Sequence, residues 1–212
     1  MTITIIKDCS PYYITFTHTG FDDFLSYAQS IIENQKYKEL DVSTIPGCKV
    51  AMDAIPTYRT RFFLLEEEIQ QELLKRTPVY DRLNLNPKSL AYFYTSPGLV
   101  HPVHKDSPKT KPDRYSLNYP IKILDNLCVT SWYADSGIKP FNNSRLGQIE
   151  DKTAVEVLES MVLKPNEAIL LNSDIYHDWN NSASTNERIV LTMRDQSSDI
   201  YFEHAKRLLF GL

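Results

Sequence analysis

The chain reads as a mainly β protein with amphipathic helices at its flanks. Two observations predict that class. From about residue 90 onward, short apolar, aromatic and β-branched runs are separated by clusters of Pro, Gly, Asn, Asp and Ser, the pattern of an all-β sandwich or barrel. Before that point, and again at the C-terminus, apolar residues recur at helical spacing instead.

A first helix is predicted over 19–40, where Phe21, Phe24, Leu25, Ala28, Ile31 and Ile32 form one stripe and Asp22 and Asp23 oppose the dipole in the first turn. A second is predicted over 61–76 from Phe62, Leu65, Ile69 and Leu73, stopping before Pro78. Glu66, Glu67 and Glu68 are then its solvated face. Together these helices make residues 1–80 a helical support. Candidate strands follow at 90–95, 115–121, 127–133, 155–162, 167–172 and 188–194, so a β core spans about 90–195. The turns between them are explicit: Ser96-Pro97-Gly98, a loop over 107–113, Asp135-Ser136-Gly137, Lys164-Pro165-Asn166, and 180–186. A last amphipathic segment near 202–210, within a C-terminal helical stretch of about 199–212, packs back on the body. No repeat or low-complexity tract interrupts the chain, so all 212 residues are expected to share one domain.

Composition narrows the function classes. With 23 Lys and Arg against 27 Asp and Glu, the net charge of −4 offers no long-range attraction to nucleic acid or anionic lipid. No apolar run approaches the roughly 18 residues that would span a bilayer, so no membrane partner is expected. Cys9, Cys48 and Cys128 are odd in number and lack a CxxC pair, which suits three reduced thiols of a cytoplasmic protein. Residues 1–8 alternate Thr and Ile without the basic start and cleavage site of a signal peptide, so the triplets at Asn142 and Asn180 carry no weight as glycosylation sites.

The chemistry is concentrated in Ser96-Pro97-Gly98-Leu99-Val100-His101-Pro102-Val103-His104-Lys105-Asp106. At the end of a strand, the spacing of two between His104 and Asp106 sends an imidazole and a carboxylate to one side, where they can meet one ion. A third ligand must come from elsewhere, and His177 follows the strand over 167–172 and its turn. Two histidines and one carboxylate on one side of a metal leave open positions, as in non-haem iron(II) oxygenases. Arg188 opens the strand Arg-Ile-Val-Leu-Thr-Met, whose alternation puts Arg188, Val190 and Thr192 on one face and Ile189, Leu191 and Met193 on the other. A guanidinium there could fork onto the far carboxylate of a dicarboxylate that chelates the metal. Taken singly, each piece has a plainer reading: H-x-D by chance, His177 as a hydrogen-bonded core residue, Arg188 as a salt-bridged rim residue. Their order and spacing inside a β region carry the argument. His101, three residues before His104, would face the other way on a strand and suits a supporting or surface role. Trp132, Tyr133 and Trp179 suit either a pocket wall or plain core.

From about residue 92 to 194 these motifs resemble the 2-oxoglutarate and Fe(II)-dependent dioxygenases, which share a double-stranded β-helix, or jelly-roll, core. The run S-P-G-L-V-H-P-V-H-K-D followed by R-Y-S-L-N-Y-P-I is most similar to the branch of prolyl and aspartyl/asparaginyl hydroxylases. The resemblance implies that His104, Asp106 and His177 hold Fe(II) and that Arg188 anchors 2-oxoglutarate. It also implies that Ser116 and Asn118 lie near the co-substrate; Asn118 stands where aspartyl hydroxylases carry a histidine. The expected activity is hydroxylation with O2, coupled to oxidative decarboxylation of 2-oxoglutarate to succinate.

The primary substrate is left open among a protein side chain, a free amino acid, a nucleobase and a small metabolite, because selectivity lives in variable loops. Lys105, Lys109, Lys111 and Arg114 beside the metal residues read first as a solvated connection; in a functional role they would favour an acidic or phosphate-bearing substrate. Two other classes compete: a cupin-like metalloenzyme using zinc or manganese without a keto acid, and a non-catalytic jelly-roll binding or virion protein. Arg188 argues against the first, and an intact triad against the second.

Overall fold

The segments 115–122, 168–172 and 188–193 bury both of their sides, so they belong inside a sheet that is covered on both faces. A computed structural model describes residues 2–41, 61–83, 90–106, 115–140, 147–149, 155–193 and 200–212. Its strands are β1 (Ile3–Cys9), β2 (Tyr13–His18), β3 (Lys38–Leu40), β4 (Arg61–Leu64), β5 (Leu90–Thr95), β6 (Tyr115–Lys122), β7 (Val129–Tyr133), β8 (Ile138–Pro140), β9 (Gly147–Ile149), β10 (Val157–Val162), β11 (Ala168–Asn172), β12 (His177–Asn180) and β13 (Arg188–Met193). The helices are α1 (Phe21–Glu33), α2 (Glu67–Leu74), α3 (Val79–Leu83) and α4 (Phe202–Phe210).

Eight strands form one sheet in the order β1-β2-β11-β6-β13-β5-β4-β3, three form a second in the order β10-β7-β12, and β8 pairs with β9. Every pairing among them is antiparallel. The two larger sheets enclose one apolar cluster, in which Tyr13, Ile169, Leu171 and Val190 of the large sheet meet Trp132 and Met161 of the small one. The helices cover the opposite face of the large sheet, where Phe16, Leu117, Tyr119, Leu170, Leu191 and Met193 pack against Phe24, Ala28, Leu73 and Leu209. Fully burying a side chain of this size stabilises the fold by about 1.5–3 kcal/mol. This is a jelly roll with helices on one side, as the sequence predicts.

The first 80 residues depart from the expectation of a purely helical support. Four of the eight strands of the large sheet, β1 to β4, come from them. β2 is almost wholly buried and pairs with β11. Only α1 keeps the expected stripe, with Phe21, Phe24, Leu25, Ala28 and Ile31 buried. It ends at Asn34, after which Gln35 turns with a φ of 51° and β3 begins at Lys38. The expected helix over 61–76 is instead β4 followed by α2. Phe62 and Phe93 stand opposite each other, with ring centroids 4.4 Å apart, and that aromatic cross-strand pair outcompetes helix formation at its N-terminal end. Glu67 and Glu68 then occupy the first turn of α2, where they favour the helix dipole.

Within the helix-side core, a small polar relay is fully paired: His18 Nε2 lies 3.3 Å from Thr77 Oγ1, which lies 3.2 Å from Tyr119 Oη. Burial pushes the His18 imidazole below its ordinary range. Among the described residues, no helix is long and apolar enough to cross a membrane. The expected loop over 107–113 with Lys109 and Lys111, and also Arg114, Asn142, Cys48 and Arg194, lie outside the described residues.

Candidate active site

β12 is the strand that sequence periodicity does not reveal, because His-Asp-Trp-Asn carries no apolar alternation. It is ordered by pairing. On one side it lies against β7, with His177 opposite Trp132 and Trp179 opposite Thr130. On the other runs the Ser96–Asp106 motif, which forms no continuous strand and meets β12 at two isolated bridges, Val100 with Asn180 and His104 with His177. His104 and His177 exchange both backbone bonds at 2.9 Å, and His101 N–H donates to Trp179 C=O at 2.9 Å.

This register corrects the expectation for His101. Three residues from His101 to His104 stand opposite only two from Trp179 to His177, so the motif bulges at Pro102 and Val103. Pro102 has no N–H to place in a ladder, and the extra residue reverses the parity of the segment. His101 therefore comes to the same side as His104. Their ring centroids are 4.5 Å apart, and His101 is buried rather than on the surface. Its imidazole is pushed well below its ordinary range, first by burial and then by the neighbouring His104.

His104, Asp106 and His177 converge: one potential ligand atom from each lies within 4.8 Å of the others. The two imidazoles are aimed alike. His104 Nδ1–H donates to Pro102 C=O and His177 Nδ1–H to Ile175 C=O, each at 2.8 Å. A backbone acceptor on Nδ1 fixes the tautomer in which Nε2 is the nitrogen that could ligate a metal. His104 Nε2 sits 3.4 Å from Asp106 Oδ1, and both histidines are buried. Two aimed imidazoles and a carboxylate in one buried corner fit a divalent cation such as Fe(II), Mn(II) or Zn(II).

Arg188 is buried at the start of β13, 6% exposed, with its guanidinium carbon 5.4 Å from the centre of the Trp179 ring. Among the described residues its Nε finds no hydrogen-bond partner and no carboxylate pairs with it. A buried cation without a counter-ion is costly, so the position suits an anionic ligand. Ser116 and Asn118 share the interior face with Thr192, the residue in phase with Arg188. Ser116 Oγ and Thr192 Oγ1 both donate to Asn118 Oδ1, at 3.1 and 2.8 Å, which turns the amide N–H groups of Asn118 away from them as donors.

The three aromatic candidates divide. Trp132 belongs to the core between the sheets and stacks on Tyr13 at 5.0 Å. Tyr133 faces the other side of β7, donating to Asp178 Oδ2 at 2.9 Å, and burial pushes the Asp178 carboxyl above its usual range. Trp179 lies against the site: His101 stacks on it at 3.9 Å, His104 meets it edge-on at 5.2 Å, and Phe93 lies at 6.4 Å. Lys105 pairs with Asp135 at 3.2 Å and sits 4.5 Å from the Tyr176 ring centre.

No family model and no curated protein matches the sequence. Solved structures do share its architecture. The non-heme alpha ketoglutarate dependent epimerase SnoN from nogalamycin biosynthesis superposes with a TM-score of 0.51 at 8% identity, over 86% of this chain and 78% of that one. The same epimerase in complex with Fe3+, alpha ketoglutarate and nogalamycin RO gives 0.53, again at 8% identity and the same coverage. The non-heme alpha ketoglutarate dependent carbocyclase SnoK from nogalamycin biosynthesis gives 0.50 at 10% identity, over 86% of this chain and 80% of that one. At such identities the likeness establishes the fold: a jelly roll of the kind found in non-heme keto-acid-dependent enzymes.

Proposed function

We propose that this chain is an Fe(II)- and 2-oxoglutarate-dependent oxygenase that couples decarboxylation of the keto acid to succinate with oxidation of a second substrate. The observation that carries the reading is the convergence of His104, Asp106 and His177, with ligand atoms within 4.8 Å of one another, in a fold shared with such enzymes. His104 and His177 would present Nε2 to the iron, held by their Nδ1 bonds to Pro102 and Ile175, and Asp106 would supply the carboxylate. Arg188 would fork onto the far carboxylate of 2-oxoglutarate, with the Asn118 amide as a further donor on the same face. Iron with the keto acid and O2 supplies the oxidising power; the chain supplies aim, charge balance and a water-poor wall.

The prolyl and aspartyl/asparaginyl hydroxylase branch remains our reading of S-P-G-L-V-H-P-V-H-K-D, with hydroxylation as the expected outcome and a cytoplasmic setting. Epimerase and carbocyclase neighbours favour a second reading, in which the same site removes hydrogen from a small molecule without leaving oxygen on it, either two hydrogens for ring closure or one that is given back, with an external reductant supplying the balancing electrons, for epimerisation. The buried Arg188 favours either over a zinc or manganese site that has no use for a keto acid.

The test is purified protein with Fe(II), 2-oxoglutarate and O2, scored for succinate, followed by a screen of acidic peptides, amino acids and small metabolites for stimulated release. Iron-dependent succinate is expected; its absence with every substrate, together with no visible charge-transfer band under anaerobic Fe(II) and 2-oxoglutarate, would overturn the proposal. Mass spectrometry of the stimulating substrate separates the outcomes: one added oxygen for hydroxylation, two lost hydrogens for ring closure, unchanged mass for epimerisation.

A further inference from the structure

Trp179 occupies a place that neither the metal triad nor the diacid anchor accounts for. It stands two residues beyond His177 on the same face of β12, so its indole projects into the same interior. One edge meets His104 at 5.2 Å with the planes at 84°, and the Arg188 guanidinium carbon lies 5.4 Å from the ring centre. A single rigid side chain thus touches both ends of the space that a chelating diacid would have to span. The indole is itself held. His101 lies over it at 3.9 Å, brought there by the bulge at Pro102, and Phe93 abuts it edge-on at 6.4 Å. It is 9% exposed, and its Nε1 has no hydrogen-bond partner among the described residues. An indole buried without using its polar end is placed by its shape and its π face. A guanidinium with no counter-ion among the described residues rests on that face, which restrains it before any anion arrives.

We infer that Trp179, backed by His101, is the positioning and specificity-determining residue for the keto acid: it holds Arg188 at a set reach from the metal corner and so selects the length of the diacid. This rests on the proposed oxygenase reading. With the indole in place, a five-carbon keto diacid fits between chelating end and guanidinium. With the indole removed, the guanidinium loses its support and the space opens, so a six-carbon homologue gains relative to the five-carbon acid.

The experiment compares wild type, Trp179→Phe and Trp179→Leu under anaerobic conditions with Fe(II), titrating 2-oxoglutarate and 2-oxoadipate separately by the visible charge-transfer band, with iron affinity and circular dichroism measured on each protein. For Trp179→Leu we expect the 2-oxoglutarate Kd to rise about tenfold, the preference for 2-oxoglutarate over 2-oxoadipate to fall by about fivefold or more, and iron affinity to hold within about threefold. Trp179→Phe keeps a π face and should fall between. If the leucine variant does not fold, the phenylalanine variant decides, with an expected selectivity change of about twofold to threefold. A wild type that develops no band with 2-oxoglutarate overturns the oxygenase reading. A wild type that develops it, while folded variants keep the wild-type selectivity ratio, overturns the role of Trp179. So does a variant that loses both acids and iron in equal proportion, because that is the signature of a merely structural residue.

Discussion

The two faces of the eight-stranded sheet are built from alternate residues of the same strands, yet they differ in kind. Toward the helices, β6 and β13 present Leu117, Tyr119, Leu191 and Met193, and a short chain of polar groups there, His18, Thr77 and the Tyr119 hydroxyl, is bonded together. Toward the small sheet, the same strands present Ser116, Asn118, Thr192 and Arg188 beside Val190, and the Nε of Arg188 has no hydrogen-bond partner among the described residues. The first face is mainly apolar. The other gathers polar and charged groups, and buried groups of that kind suit a ligand because they cost stability that packing alone would not retain.

The sharpest way to break this contrast is Asp106→Ala, which removes the only carboxylate of the triad. Succinate formation is expected to fall to background while the unfolding midpoint of the metal-free protein barely moves; equal succinate from both proteins would end the metal assignment. On the opposite face, Leu191→Ala should act the other way round. Leu191 is fully buried, so denaturant titration should show a loss of about 2–5 kcal/mol. Iron and keto-acid affinities of the folded fraction should stay unchanged.

Arg188→Met tests the site face directly, since it keeps side-chain length but removes a buried charge without a described carboxylate partner. The 2-oxoglutarate Kd should rise on the order of a hundredfold, with the midpoint of the metal-free protein unchanged or raised. A large drop in stability would show that the arginine belongs to the core rather than to a ligand.

The smallest effect belongs to His18 on the helix-facing side. Burial lowers its folded pKa, so the unfolded chain takes up a proton that the folded one resists. Stability is therefore full above the unfolded value of about 6.5 and declines as pH falls below it toward the folded value. His18→Gln should flatten part of that decline in thermal melts between about pH 7 and pH 5; identical slopes would remove His18 as a source.

Much of this architecture is legible in local pattern. β5, β6, β13 and α4 are visible because their period of two or 3.6 is set by the backbone itself. The alternation of Arg188, Val190 and Thr192 against Ile189, Leu191 and Met193 holds for the same reason. β1 and β2 left a signal too, in Ile-Thr-Ile and Tyr-Ile-Thr-Phe, which could have been read as strands. β4 was harder, because Arg-Phe-Phe-Leu satisfies a helical stripe equally well until Phe93 is known to lie opposite Phe62.

The side to which His101 points, the pairing that makes β12 a strand, and the seat of Trp179 between His104 and Arg188 are of another sort. They follow from register between segments some 75 residues apart in the chain, and a one-residue bulge at Pro102 is enough to reverse an assignment that spacing alone would support. Periodicity is carried within each segment and can be read from it. Register, and with it which polar atoms are left without partners, exists only once distant strands have met.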